Sequence, residues 1–165
     1  MKKMMMAGWT GALVILATAG SMLAHHTLAQ FDTTTAVTLK GTVVLFQRIN
    51  PHSLLVVDEK QKNGQSRRWV VEGPGTLQLT RKDIAIDALK FGDNAEVCGY
   101  ATKPGVESQR TVPLESASLN TNARTLSGSF MDGELVVMPD GQKKVWSDYG
   151  HHKCLAPDYT DFHSK

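Results

Sequence analysis

The sequence predicts a mainly β protein: a small OB-like Greek-key barrel with one short helix or connector. Three observations carry this. Apolar and polar residues alternate in short runs, turn-forming residues separate the runs, and one non-alternating stretch follows the third run. Three strands, a connector and further strands is the element order of a five-stranded, partly open barrel. A β-sandwich is the alternative, because it too is assembled from short alternating strands.

The elements follow in order. From Val37 to Ile49, Val37, Leu39, Val43, Leu45 and Ile49 recur with period two, with Gly41 and Gln47 on the same face, and predict one long half-buried strand. Gly41 in its middle suggests a bend or bulge. Asn50-Pro51-His52 reads as a turn, Leu54 to Val57 as a second strand, and Asn63-Gly64 as the loop of a hairpin. Arg67 to Glu72 forms the third strand, ending at Gly73-Pro74-Gly75. Alternation stops between Thr76 and Lys90, which predicts the short helix or connector, and Ala95 to Tyr100 is the fourth strand. Lys103 to Gly128 is rich in Ser, Thr, Asn and Pro and reads as a long loop. Glu134 to Met138 and Lys144 to Trp146 read as a closing hairpin around Pro139-Asp140-Gly141.

Residues 1–24 place Lys2 and Lys3 before the apolar run Ala12 to Ala17 and then small residues, the order of a cleaved secretory signal. The expected organisation is a signal over 1–24, one β-barrel-like domain over 25–147 and a polar tail over 148–165. Cleavage after Ala19, Ala24 or Ala29 fits the small-residue rule, and the middle site leaves His25 at the new terminus. The expected location is periplasmic or secreted, with no membrane span once the signal is removed. Of the 18 Lys and Arg, Lys2 and Lys3 lie in the signal, leaving 16 against 16 Asp and Glu. That balance argues against nucleic acid, since phosphate binding needs a clustered cationic excess.

Cys98 and Cys154 would both meet an oxidising compartment, and a disulfide between them is the first reading. The alternative makes Cys154, within His151-His152-Lys153-Cys154, a metal-ligating thiolate and Cys98 a small buried residue.

The sequence also resembles a family of exported bacterial proteins, the domain-of-unknown-function family 6152. The matching residues are Ala24 to Ala29 with Phe31-Asp32, Gly41-Thr42-Val43, Asn50-Pro51-His52, Trp69 with Glu72, and Leu89 to Asp93 leading to Gly99-Tyr100. The resemblance covers about Ala24 to Lys103. Members more often carry Ser and Phe where this chain has Thr27 and Leu28, and the segments Lys103 to Gly133 and beyond Ser147 are longer than the family pattern. It implies export and a small β domain, and no reaction.

Histidine is the main chemical resource. If the signal is cut after Ala24, His25 offers its free amine and its ring together, a chelate suited to copper or another divalent metal, and His26 or His52 can add a nitrogen. His52 equally suits capping a backbone group within its turn. His151 and His152 lack the spacing of a zinc site. Trp69 is either a core aromatic or, with Glu72 nearby, part of a ligand-binding platform. No nucleophile elbow, ordered triad or phosphate-cradling glycine motif occurs, and Asp58 and Glu59 fall on opposite strand faces. The expectation is a non-enzymatic binding module taking a small ligand or metal ion. A structural or protein-interaction module of the cell envelope, recruiting a partner at an exposed strand edge, is the alternative, and a hydrolase around His52 and Glu72 is a third reading.

Overall fold

The computed structural model describes residues 28–106, 110–111, 125–126, 128–147 and 153–154. The strands are β1 (Val37–Gln47), β2 (Ser53–Lys60), β3 (Ser66–Gly73), β4 (Asn94–Ala101), β5 (Arg110–Thr111), β6 (Thr125–Leu126), β7 (Ser129–Val137) and β8 (Lys143–Val145). One α-helix, α1 (Thr76–Arg81), lies between β3 and β4, and a 3-10 turn covers Leu28–Gln30.

The strand order β3-β2-β1-β4-β7-β8 would leave β3 at an edge, but β3 also pairs with β7, in parallel, and so closes a five-stranded barrel. This is the OB topology, with long β1 shared between two neighbours and the helix between the third and fourth strands. Closure excludes the β-sandwich.

Alternation along each strand builds two apolar clusters. Leu55, Val57, Trp69, Val71, Val97, Met131 and Val136 fill the interior with Leu79 of α1 and Ile84 and Leu89 of the connector after it. Their strand neighbours Leu54, Val56, Val70 and Phe130 form a second cluster with Leu45 on the opposite face. All four of these strand-neighbour residues are buried.

Two local readings are refined. The register shift in β1 falls between Val43 and Leu45 rather than at Gly41. Gly41 instead permits close approach, since a Cβ there would lie 2.5 Å from the Asp58 carbonyl oxygen. The final hairpin begins five residues earlier than expected, because β7 starts at Ser129 to pair with β3. Most of the loop expected over 103–128 lies outside the described residues, apart from the β5–β6 pair. Of the tail, Lys153 and Cys154 are described.

Candidate functional site

Each residue of Asn50-Pro51-His52 has a structural task. Asn50 Oδ1 accepts from the backbone N–H of Thr76 (3.0 Å) and from Thr76 Oγ1 (2.9 Å), capping the start of α1 from a distant turn. The Asn50–Pro51 peptide is cis. Arg48, just before the turn, donates to the Thr76 carbonyl at 2.9 Å. The turn is thereby held against α1, and His52 emerges at the end of the barrel where β2 starts and β3 ends.

There His52 Nδ1 lies 3.3 Å from Glu72 Oε1, with the histidine side chain 24% exposed and the glutamate 3%. Glu72 stands in register with Asp132 across the parallel β3–β7 seam, and Asp132 in turn with Tyr100 of β4. Glu134 completes the group. It lies in β7 at the point where the β4–β7 register shifts, is almost fully buried, and accepts a hydrogen bond from the Tyr100 hydroxyl.

Electrostatics follow from this crowding. Burial, then the charges of Glu72 and Glu134, push the Asp132 carboxyl up to about 7. Burial is also the main cause that raises the Tyr100 phenol to about 12, with Glu134 and Asp132 adding to it. Residues 153–154 reach the cluster: the backbone N–H groups of Lys153 and Cys154 donate to Tyr100 Oη (3.3 Å) and Glu134 Oε2 (3.1 Å).

Cys98 and Cys154 form a disulfide spanning 56 residues, with Cα atoms 5.7 Å apart. Cys154 therefore offers no thiolate, and the metal-ligand alternative for it is withdrawn. Trp69 is 3% exposed; its indole N–H donates to Glu59 Oε2 at 2.9 Å and the Arg67 guanidinium lies 4.2 Å above its ring. With one face in the core and the other under Arg67, no open face remains for a planar ligand, and Trp69 is a core residue. Asp58 pairs with Arg68, confirming that it and Glu59 serve different strand faces. His25, His26, His151, His152 and His163 lie outside the described residues. Among the described residues no three His, Cys, Asp or Glu side chains are grouped to hold a metal ion, and no helix is long and apolar enough to cross a membrane.

Sequence reasoning singled out His52 and Glu72, which meet, but missed Asp132, Glu134 and Tyr100. Only barrel closure brings those three to Glu72, and no local spacing signals it. The opposite barrel end holds an open groove of about 520 Å³ lined by Lys40, Gly41, Asp58, Asn94 and Glu96 among others. Its charges are largely matched, through Lys40–Glu96 (2.6 Å) and Arg68–Asp58 (2.7 Å) ion pairs.

A family model matches residues 12–111, a span that includes the His52 corner. The chain belongs to the family of unknown function DUF6152. The match takes in His52, Trp69, Glu72, Cys98 and Tyr100 and ends before Asp132 and Glu134. No curated protein matches the chain. Among solved structures it is similar to a small single-stranded DNA-binding protein from Streptomyces coelicolor, at 15% identity and a TM-score of 0.33, over 62% of this chain and 91% of that one.

Proposed function

We propose that the protein is an exported, non-enzymatic barrel module that binds a divalent metal such as copper through histidine, with His52 the ligand supplied by the barrel. The carrying observation is the 3.3 Å approach of His52 Nδ1 to Glu72 Oε1. A carboxylate on one ring nitrogen fixes the tautomer and orientation of the imidazole and strengthens the other nitrogen as a donor, the arrangement behind most metal-ligating histidines. The remaining ligands are drawn from His25 and His26, the nitrogen-rich start of the chain after cleavage at Ala24.

Export is supported by the order of residues in 1–24 and by the Cys98–Cys154 disulfide, which suits an oxidising compartment such as the periplasm or the exterior. A non-enzymatic role is supported by Ser53, the hydroxyl next in the chain to His52, which is fully buried and so not presented as a nucleophile.

Copper titration of the mature protein tests this reading. His52→Ala is expected to lower affinity tenfold or more, about 1.4 kcal/mol. Glu72→Gln is expected to lower it by a similar factor through the ring's orientation, and His163→Ala to leave it unchanged. Equal affinity in wild type and His52→Ala would remove His52 from the site.

A second reading, an interaction module recruiting an envelope protein, is favoured by Leu77, Ile86 and Phe91. They are 56%, 75% and 81% exposed and all lie between β3 and β4. Recruitment at the sheet edge is disfavoured, because β8 is three residues long and carries Lys143 and Lys144. Phe91→Ser should abolish partner cross-linking if this reading holds, and leave copper binding intact.

A further inference from the structure

The parallel pairing of β3 with β7 closes the barrel, and its last register pair sets Glu72 beside Asp132. Few positions in a fold are worse suited to two carboxylates. Strand geometry holds register partners about 5 Å apart, and Glu72 is almost fully removed from water. A third carboxylate, Glu134, faces the same group from β7 and is 1% exposed.

Described residues from three other elements face them. From the turn before β2, His52 faces Glu72. From β4, Tyr100 gives its hydroxyl to Glu134. From the C-terminal segment, the backbone N–H groups of Lys153 and Cys154 reach Tyr100 and Glu134, while the Lys153 ammonium bonds the Thr34 carbonyl. Every cause acting on Asp132 disfavours its charged form: burial, then Glu72, then Glu134.

We propose that the Glu72–Asp132 pair makes the β3–β7 seam a proton-dependent latch, firm while Asp132 keeps its proton and weakened once Asp132 is charged. The sign follows from linkage. An unfolded Asp132 releases its proton near the ordinary aspartate value, whereas the folded one holds it to about 7. The folded state thus binds the extra proton between those values, so the stabilisation is complete below the ordinary aspartate value and is lost progressively as pH rises from there through about 7. In an exported protein this would make barrel closure respond to the pH outside the cell. The latch does not depend on metal, and the test below is run with chelator present, so its outcome is separate from that of the copper reading.

The experiment compares wild type, Asp132→Asn and His52→Asn by thermal melting from pH 5 to 8. Asn keeps the shape of a protonated Asp and cannot acquire charge. Relative to Asp132→Asn, wild type is expected to fall further behind as pH rises, the gap in melting temperature widening by on the order of 10 °C between pH 5 and pH 8. His52→Asn should retain that pH dependence. Hydrogen exchange of wild type, corrected for intrinsic rates, should show Ser129 to Gly133 of β7 losing protection ahead of β1 and β2. A carboxyl 13C titration of the wild-type protein guards against a misfolded variant, with the Asp132 midpoint expected near 7. A melting difference between wild type and Asp132→Asn that stays constant with pH, or an Asp132 midpoint below 5, would overturn the latch.

Discussion

The indole of Trp146 lies directly over Gly73, so close that a Cβ at residue 73 would sit 1.2 Å from Trp146 Nε1. Trp146 is fully buried and its ring also packs on Phe46, with centroids 5.6 Å apart. The last residue of β3 must therefore be glycine for the residue after β8 to fill the barrel. Gly73→Ala is expected to destabilise by on the order of 3 kcal/mol, read as a fall in urea midpoint at unchanged slope. Combined with Trp146→Phe, which shortens the indole, its cost should be less than the sum of the two single changes. Strict additivity would show that the two residues do not share the space.

Asn50 gives a second prediction. Its side chain satisfies two donors of Thr76, 26 residues away in the sequence. Asn50→Ala is expected to cost about 1–2 kcal/mol in chemical denaturation, and Asn50→Asp much less, because a carboxylate accepts the same two bonds. Equal loss in both variants would mean that Asn50 acts through its turn and not as a cap.

The alternation of β1 and β4 was legible because one face of each is more deeply buried than the other, whereas β2 and β3, buried on both faces, were legible as short apolar runs between turns and before the break at α1. The start of β7 was not. Ser129-Phe130-Met131-Asp132-Gly133 ends in an Asp-Gly step that suggests a turn, yet all five residues lie in the strand. What holds them there is pairing on both sides, parallel with β3, 60 residues earlier, and antiparallel with β4, and no local pattern encodes partners at such distances. The same gap hid half of the site. His52 and Glu72 stood out as a histidine in a turn and an acid ending a strand, whereas Asp132 and Glu134 gain their character only from the seam. Trp69 was open to two readings because an aromatic on a strand looks the same whether its ring faces core or ligand. The guanidinium of Arg67, two residues away on the same strand face, closed the second option.

The Cys98–Cys154 disulfide yields a third prediction. It fastens residues 153–154 to β4 beside Tyr100 and Glu134. Thiol counting on denatured, unreduced protein should find no free thiol. Replacing both cysteines by serine should cost on the order of 4 kcal/mol, given the length of the loop released. Two reactive thiols per chain would contradict the pairing and with it one support for export.

The most direct test of a histidine metal site is the electron paramagnetic resonance spectrum of the mature protein carrying one equivalent of Cu(II). We expect imidazole nitrogen couplings from more than one histidine, with one set lost in His52→Ala and another in His25→Ala, while His163→Ala matches wild type. Identical spectra for wild type and His52→Ala, or a spectrum of free aqueous copper, would contradict the site and leave the interaction module as the standing reading.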